Sequence, residues 1–259
     1  MKQLHLIRIP LSMNSLSQWA GERGWVRGRA LAFDEGRALH HLVDETFGPG
    51  ALRPFRLLVP PRGVGGNLYS YSTYGHEELV AAMHKFALPE HLAVLRPERL
   101  ASKLMPVDWG VGERLGFDVR MRPVRRLRND LPTPLGKFRA GAELDAYLWE
   151  AARYHPTDRK GMATNDRSRG SVYLDWLDER FASAARIDRA ETRMVRYQRM
   201  VVARGDRALE GPDATFQGTL TVTRPAAFTA MLAHGVGRHR AFGYGMLLLR
   251  PPYRAAPLR

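Results

Sequence analysis

An α+β fold is predicted for this chain, because strand-like alternation and helix-like spacing follow one another along it. Residues 3–9 alternate between apolar and polar side chains, which predicts a strand. After a loop, residues 34–47 carry apolar side chains at helical spacing, with Asp34 as a suitable N-cap. Further segments complete a β-α-β-β-α-β order, with strands at 55–60, 67–74 and 103–109 and a helix at 76–86. This order is that of the ferredoxin-like, or RRM-like, fold.

The second half of the chain repeats the pattern with longer insertions. Its predicted elements are a strand at 114–127, helices at 142–155 and 171–187, strands at 191–204 and 215–223 around a turn region at 206–214, a helix at 224–237 and a closing strand at 242–251. A Gly-Val-Gly sequence at 110–112 interrupts the pattern. The sequence therefore predicts two tandem ferredoxin-like domains, an N-terminal one over 1–111 and a C-terminal one over 112–259.

The composition is strongly basic. The 259 residues include 40 Lys and Arg against 26 Asp and Glu, which gives a formal net charge of +14. Most of the excess is arginine, whose planar guanidinium suits bidentate contact with phosphate. A polyanionic partner is predicted, with nucleic acid as the first candidate. The alternative is a chain that is basic throughout for reasons of overall composition.

Several classes of protein are excluded or disfavoured. The absence of cysteine excludes disulfide frameworks, thiolate zinc sites and cysteine nucleophiles. The N-terminal segment has no long apolar core, and no run of about 18 apolar residues occurs, so we expect a cytoplasmic, soluble protein. His76, His84 and His91 lack the spacing of a metal hydrolase, so we expect neither a metal nor a cofactor.

A glycine-rich loop at 234–245 is the most distinctive motif. It combines glycines, which allow close approach to phosphate, with basic and aromatic side chains that suit RNA. A helix C-cap followed by a turn is the alternative, but it needs only one or two glycines. The candidate RNA-binding residues of the loop are Gly235, Gly237, Arg238, His239, Arg240, Phe242 and Gly243, with Tyr244 as a second aromatic and His234 as a further contact.

The end of the chain resembles the glycine-rich signature of the CasE family, the CRISPR repeat endoribonucleases of type I-E systems within the RAMP superfamily. The matching residues are Gly235, Gly237, Arg240, Ala241, Phe242, Gly243, Gly245, Leu247, Leu249 and Pro251. The resemblance implies tandem ferredoxin-like domains and cleavage of the repeat hairpin in precursor CRISPR RNA. It also implies 5′-hydroxyl and 2′,3′-cyclic phosphate ends, retention of the mature CRISPR RNA and assembly with the other subunits of the surveillance complex.

The resemblance also implies a catalytic histidine on the first helix, where Leu39-His40 matches best. His41 is the alternative, because a shift of one residue in the alignment with the family would place His41 at the catalytic position instead of His40. Arg37 replaces the family's frequent tyrosine, and we predict that it neutralises the phosphate. Asp44 lies one turn after His40 and could hold the imidazolium. If these assignments hold, His40 and the loop must meet across the boundary between the predicted domains.

Two further basic stretches are candidate RNA contacts, with a solvated charged surface as the alternative. They comprise Arg120, Arg122, Arg125, Arg126 and Arg128, and then Arg159, Lys160, Arg167 and Arg169. Two other functions stay open. The first is a non-catalytic RNA-binding scaffold subunit, and the second and weaker one is a basic DNA-binding protein, for which no helix-turn-helix or zinc-finger pattern is found.

Overall fold

The computed structural model describes residues 3–27, 32–61, 63, 65–204 and 207–252. The chain forms two compact units. The first takes the chain up to Val111 together with Arg224–Leu247, and the second takes Gly112–Thr223 and the chain from Leu248 onward. The segment Arg224–Leu247 thus packs with the first unit, whereas the predicted C-terminal domain of 112–259 includes it.

The first unit is built around one antiparallel sheet. In chain order its elements are β1 (His5–Ser12), α1 (Met13–Glu22), β2 (Val26–Arg27), β3 (Ala32–Phe33), α2 (Glu35–Phe47), β4 (Phe55–Leu58), β5 (Gly65–Ser72), α3 (His76–Phe86), α4 (Pro89–Val94), a 3₁₀ turn (Pro97–Arg99) and β6 (Ala101–Leu104). The sheet has the order β4-β5-β1-β6, with β1 and β5 in the centre, as in a ferredoxin-like domain. The predicted helices at 34–47 and 76–86 are confirmed, and the predicted strands are present with shifted ends.

Helix α1 lies where a loop is predicted from the sequence. Ser12 caps it by accepting a hydrogen bond from the backbone N–H of Ser15 at 3.2 Å. Leu16, Trp19 and Ala20 are buried at the i, i+3, i+4 spacing of a helix. The helical spacing is present in the sequence but weak, because it rests on these three apolar residues in a mostly polar segment.

The second unit contains the other large sheet, formed by β7 (Arg114–Met121), β12 (Ala185–Arg204), β13 (Arg207–Val222) and β14 (Leu247–Arg250) in the order β12-β13-β7-β14. Strand β13 is antiparallel to both β12 and β7. This order repeats that of the first sheet, so the prediction of an α+β chain with two ferredoxin-like folds is confirmed. In chain order the other elements of this half are β8 (Val124–Arg126), β9 (Leu131–Thr133), β10 (Gly136–Phe138), β11 (Glu143–Asp145), α5 (Ala146–Tyr154), α6 (Arg159–Thr164) and α7 (Arg169–Phe181). Helix α8 (Pro225–His234) and a 3₁₀ turn (Arg240–Phe242) lie in Arg224–Leu247 and thus belong to the first unit.

Several predicted elements in this half were wrong in part. The helix expected over 142–155 begins only at Ala146, because Glu143–Asp145 form strand β11, which pairs with β8. The helix expected over 171–187 ends at Phe181, because Ala185 already pairs with Val222 in the sheet. The turn expected over 206–214 is wrong from Arg207 on, since β13 begins there; Asp206 lies outside the described residues. The closing strand expected over 242–251 covers only Leu247–Arg250, because the glycines before it adopt positive φ angles. No helix of the described ranges is long and apolar enough to cross a membrane.

Helix α2 presents two different faces. Its apolar side chains, including Leu39, Leu42 and Phe47, are buried in the core of the first unit. Asp34 caps the helix by accepting from the backbone N–H of Arg37 at 3.0 Å, which confirms the predicted cap. The packed face fixes the helix, and the opposite face carries the polar side chains of the candidate site.

Candidate active site

His40 lies on the partly exposed face of α2, with 22% of its side chain exposed. Its Nδ1 atom is 3.1 Å from Nη2 of Arg53 and 3.7 Å from Oδ2 of Asp44. The same Arg53 nitrogen pairs with the Asp44 carboxylate. Since a guanidinium can only donate, Nδ1 accepts, and the neutral His40 ring carries its proton on Nε2. Among the described residues Nε2 has no hydrogen-bond partner, so it is the atom available to a substrate.

The pKa of His40 is lowered from its ordinary value of 6.5. Partial burial is the main cause, because it disfavours the charged imidazolium. Asp44 opposes this effect, while the charges of Arg53 and His41 lower the pKa further. His40 is therefore neutral near pH 7, and histidine is the side chain that most often serves in proton transfer near that pH.

The glycine-rich loop at 234–245 contacts the same part of α2. The ring centroid of Phe242 lies 5.1 Å from that of His40. The backbone carbonyl oxygen of Phe242 lies so close to Gly36 that a Cβ there would be 2.6 Å away. Only glycine at this position leaves room for the loop. His40 and the loop, which are far apart in the sequence, thus come together inside the first compact unit.

The backbone of the loop forms a closed turn. Arg240 donates a hydrogen bond from Nη1 to the carbonyl oxygen of His234 at 2.8 Å, and the N–H of Val236 donates to the carbonyl of Gly245 at 2.8 Å. Positive φ angles occur at Gly235, Gly237, Gly243, Gly245 and also at His239. A helix C-cap alone would need only Gly235, so the remaining glycines serve the shape of the loop.

His41 and Arg37 belong to a neighbouring cluster. The His41 ring stacks at 4.5 Å from that of Trp25, and the Arg37 guanidinium lies 5.1 Å from the same Trp25 ring. His41 Nδ1 is 3.8 Å from Glu45. Burial is the main reason that the pKa of His41 is also lowered, with Glu45 opposing and Arg37 contributing to the decrease. Arg37 therefore acts electrostatically on His41, while the cation beside His40 is Arg53.

Arg53 is the residue of this site that sequence reasoning missed. It lies in the loop between α2 and β4, so no helical spacing connects it with His40. The only local signal is a basic residue just before Pro54 at the start of a predicted strand. Its position beside His40 and Asp44 follows from the folding of that loop back onto α2.

The predicted arginines at the start of the second unit have intramolecular partners. Arg120 donates two hydrogen bonds at 2.9 Å to the buried carboxylate of Asp213. Arg122 is only 5% exposed, and its guanidinium packs against Gly211. Arg125 pairs with Glu179 at 2.6 Å. The positive charge of these side chains thus contributes to the structure of the unit.

The later basic stretch contains both paired and exposed side chains. Arg167 pairs with Glu150 and Asp175, and Arg169 pairs with Asp145 and donates to the hydroxyl of Tyr173. The other predicted Arg and Lys contacts are exposed to solvent: Arg126, Arg128, Arg159, Lys160, Arg238 and Arg240. Whether any of these residues contacts RNA stays a prediction, and the exposed ones can reach a phosphate without breaking a buried ion pair.

The histidines considered for metal binding have other surroundings. His91 is 1% exposed; it accepts from the N–H of Leu88 at Nδ1 and donates from Nε2 to Glu45 at 3.1 Å. In the ranges that the structure describes, no three His, Cys, Asp or Glu side chains form a group that could hold a metal ion. His91 is therefore a structural residue that anchors Glu45.

Comparison with known proteins assigns the chain to a class. The family model described as "CRISPR associated protein" matches residues 4–251, so the chain belongs to this family of CRISPR-associated proteins. The predicted membership in a CRISPR-associated family is thereby confirmed. None of the curated proteins that were compared matches the sequence.

Solved structures show the same fold at low sequence identity. The chain is similar to Thermus thermophilus Cse3 bound to an RNA representing a pre-cleavage complex, with a TM-score of 0.63, 16% identity and coverage of 96% of this chain and 100% of the other. It is also similar to the CRISPR endoribonuclease Cse3 bound to a 19-nucleotide RNA (TM-score 0.59, 16% identity, 96% and 100% coverage). A chain of a CRISPR RNA-guided surveillance complex matches with a TM-score of 0.51, 16% identity and 95% and 98% coverage. At this identity the likeness establishes the fold.

Proposed function

We propose that this protein is a metal-independent endoribonuclease that binds the repeat hairpin of precursor CRISPR RNA and cleaves it. The observation that carries the proposal is the arrangement at His40, a neutral histidine with an available Nε2 atom beside two charged groups and the glycine-rich loop. Membership in a CRISPR-associated family supports the substrate class. The fold likeness to Cse3 structures that contain RNA supports the same substrate.

The reaction uses a nucleophile that belongs to the RNA itself. The 2′-oxygen attacks the adjacent phosphorus, the 2′-hydroxyl proton passes to a base, and the bond from phosphorus to the 5′-oxygen breaks as that oxygen receives a proton. The products are a 2′,3′-cyclic phosphate and a 5′-hydroxyl. We assign one of the two proton transfers to Nε2 of His40, because histidine is the side chain whose ordinary pKa suits proton transfer near neutral pH.

Positive charge stabilises the phosphorane in this proposal. Its extra negative charge on the non-bridging oxygens calls for preorganised donors and cations. Arg53 is the cation nearest to His40, and Arg37 is on the same helix one turn earlier. We propose that both Arg37 and Arg53 contact the phosphate.

The loop at 234–245 holds the RNA in this proposal. Its backbone has the positive φ angles that turn amide groups toward an anion, and Arg238 and Arg240 add charge at its exposed side. Phe242 supplies an aromatic ring next to His40, where a nucleobase could stack. We further propose that the enzyme retains the mature CRISPR RNA and joins the other subunits of a type I-E surveillance complex, a proposal supported by the likeness to a chain of a CRISPR RNA-guided surveillance complex.

A cleavage assay with repeat RNA in EDTA tests this function. We expect the wild type to cut, and we expect His40→Ala to be slower by about 10²–10⁴-fold, the usual contribution of a proton-transfer group. His41→Ala is the matched control on the same helix, and it should keep most of the activity. Equal rates for His40→Ala and the wild type would reject the catalytic assignment. Tight binding without cleavage by the wild type would indicate the scaffold function instead.

A further inference from the structure

Arg53 donates a hydrogen bond to Nδ1 of His40. This is the ring nitrogen that must carry a proton if Nε2 is to take part in the reaction. A base that accepts a proton at Nε2 must carry its own proton on Nδ1. An acid that donates from Nε2 must be an imidazolium, which also has a proton on Nδ1. In this structure Nδ1 accepts from Arg53 at 3.1 Å, so neither reactive form is present.

We propose that Arg53 is a latch that RNA releases: a phosphate of the bound RNA draws its guanidinium away from His40, the ring takes a proton from water at Nδ1 and gives its Nε2 proton to water, and Asp44 then accepts a hydrogen bond from Nδ1–H. This inference rests on the proposed cleavage function. It makes Arg53 and Asp44 positioning residues, which determine where the His40 ring carries its protons.

Asp44 is already placed to receive the Nδ1 proton. Its Oδ2 lies 3.7 Å from Nδ1, one helical turn away, which is slightly longer than a hydrogen bond. Its Oδ1 accepts from the backbone N–H of Gly50 at 3.3 Å, and this contact holds the carboxylate in position. Once Oδ2 loses Arg53, a small side-chain rotation would bring it within hydrogen-bond distance.

Arg53 has the properties of a group that can change partners. Its side chain is 34% exposed. Both contacts that hold it use the single atom Nη2, and Nε makes no hydrogen bond among the described residues. A phosphate can bind two guanidinium nitrogens at once, and such bidentate pairs are stronger than a shared single donor.

The groups that act on His40 come from three segments. Asp44 and His41 lie on α2, and Arg53 lies in the loop before β4. The turn at 240–242 contributes the uncharged ring of Phe242. When Arg53 moves away, His40 loses a nearby positive charge that lowers its pKa. The Asp44 carboxylate, which raises the pKa, is then the main charged partner of the ring. Release of the latch therefore also raises the proton affinity of His40.

NMR of the full chain with ¹⁵N-labelled histidine tests the latch directly, because the shifts of the two ring nitrogens report the tautomer. The signal of His40 is assigned by its loss in His40→Gln. The probe is repeat-hairpin RNA with a 2′-deoxy nucleotide at the cut position, which binds without being cut. We expect an Nε2–H ring in the free protein, a proton on Nδ1 with RNA, and a rise in the His40 pKa when RNA binds.

Three variants separate the latch from a general effect. Arg53→Gln should give the Nδ1–H form and the higher pKa without RNA, and Asp44→Asn should abolish the RNA-induced rise. Arg37→Gln removes the same charge beside His41 and should shift the His41 pKa while leaving that of His40 unchanged. A His40 tautomer that RNA does not alter, in a protein that cleaves the unmodified RNA, would overturn the latch alone. An altered tautomer in a protein that does not cleave would overturn the proposed function alone.

Discussion

At the residue scale, three neighbouring histidines have different roles because their nitrogens have different partners. Both nitrogens of His91 are used inside the protein, and His41 packs on Trp25 near Glu45. His40 keeps Nε2 available and faces the loop through Phe242. The resemblance to the CasE family selected His40, and the spacing of four residues on one helix added Asp44. Neither could select Arg53, whose contact depends on the fold of a loop.

The lowered pKa of His40 predicts a pH dependence of stability. The unfolded chain binds a proton near pH 6.5, whereas folded His40 binds it only at lower pH. Between these two values the unfolded state holds more protons, so the free energy of unfolding falls as the pH falls below about 6.5. We expect His40→Gln to reduce this acid-induced loss.

Urea unfolding at pH 5 and pH 8 measures the effect. The quantity to compare is the difference in unfolding free energy between the two pH values, for wild type and variant. A control variant, His76→Gln, changes an exposed histidine on α3 and should leave the difference unaltered. An identical pH dependence for wild type and His40→Gln would contradict the lowered pKa.

At the scale of elements, the link between α2 and the glycine-rich loop depends on one helical glycine. The sequence predicted the helix and the loop as separate features, because each has a local pattern. Nothing local showed that the Phe242 carbonyl would lie against Gly36. The wrong turn at 206–214 has a similar origin: Gly211 and Pro212 are turn formers, yet pairing with β12 extends the strand through them.

Gly36→Ala tests that link. The added Cβ would be 2.6 Å from the Phe242 carbonyl, so the loop must move away from His40. We expect cleavage of repeat RNA to slow by at least about 10-fold, the effect of displacing a positioned group by roughly 1 Å. The measurements are single-turnover cleavage and RNA affinity.

Gly170→Ala provides a matched control. Gly170 is likewise the second residue of a 13-residue helix, α7, and the nearest atom to an added Cβ is 4.0 Å away. Alanine there should stabilise the protein by about 0.4–1 kcal/mol and leave cleavage unchanged. Full activity of Gly36→Ala would mean that the position of the loop does not matter for the reaction.

At the scale of the whole molecule, the charge of +14 is an incomplete guide to RNA binding. The basic composition predicted a polyanionic partner. It could not distinguish Arg120 and Arg122, which lie in buried or paired positions, from Arg126 and Arg128, which are exposed. That difference depends on acidic residues far away in the sequence, such as Asp213.

Salt dependence measures the exposed contacts. Log affinity for the repeat hairpin should fall steeply and linearly with log salt concentration. Arg128→Gln and Lys160→Gln should each reduce the magnitude of the slope by about one. Arg99→Gln, an equal change of charge at an exposed site outside the predicted contacts, should leave the slope unaltered. Equal slopes for all three variants and the wild type would reject these contacts.

Analysis of the product ends tests the central claim most directly. Repeat-hairpin RNA is incubated with the wild-type protein in EDTA, and the fragments are analysed by mass spectrometry beside a substrate with a single 2′-deoxy nucleotide at the cut position. We expect a 2′,3′-cyclic phosphate and a 5′-hydroxyl from the RNA, and no cleavage of the deoxy substrate. A 5′-phosphate with a 3′-hydroxyl, or cleavage of the deoxy substrate, would contradict attack by the 2′-oxygen.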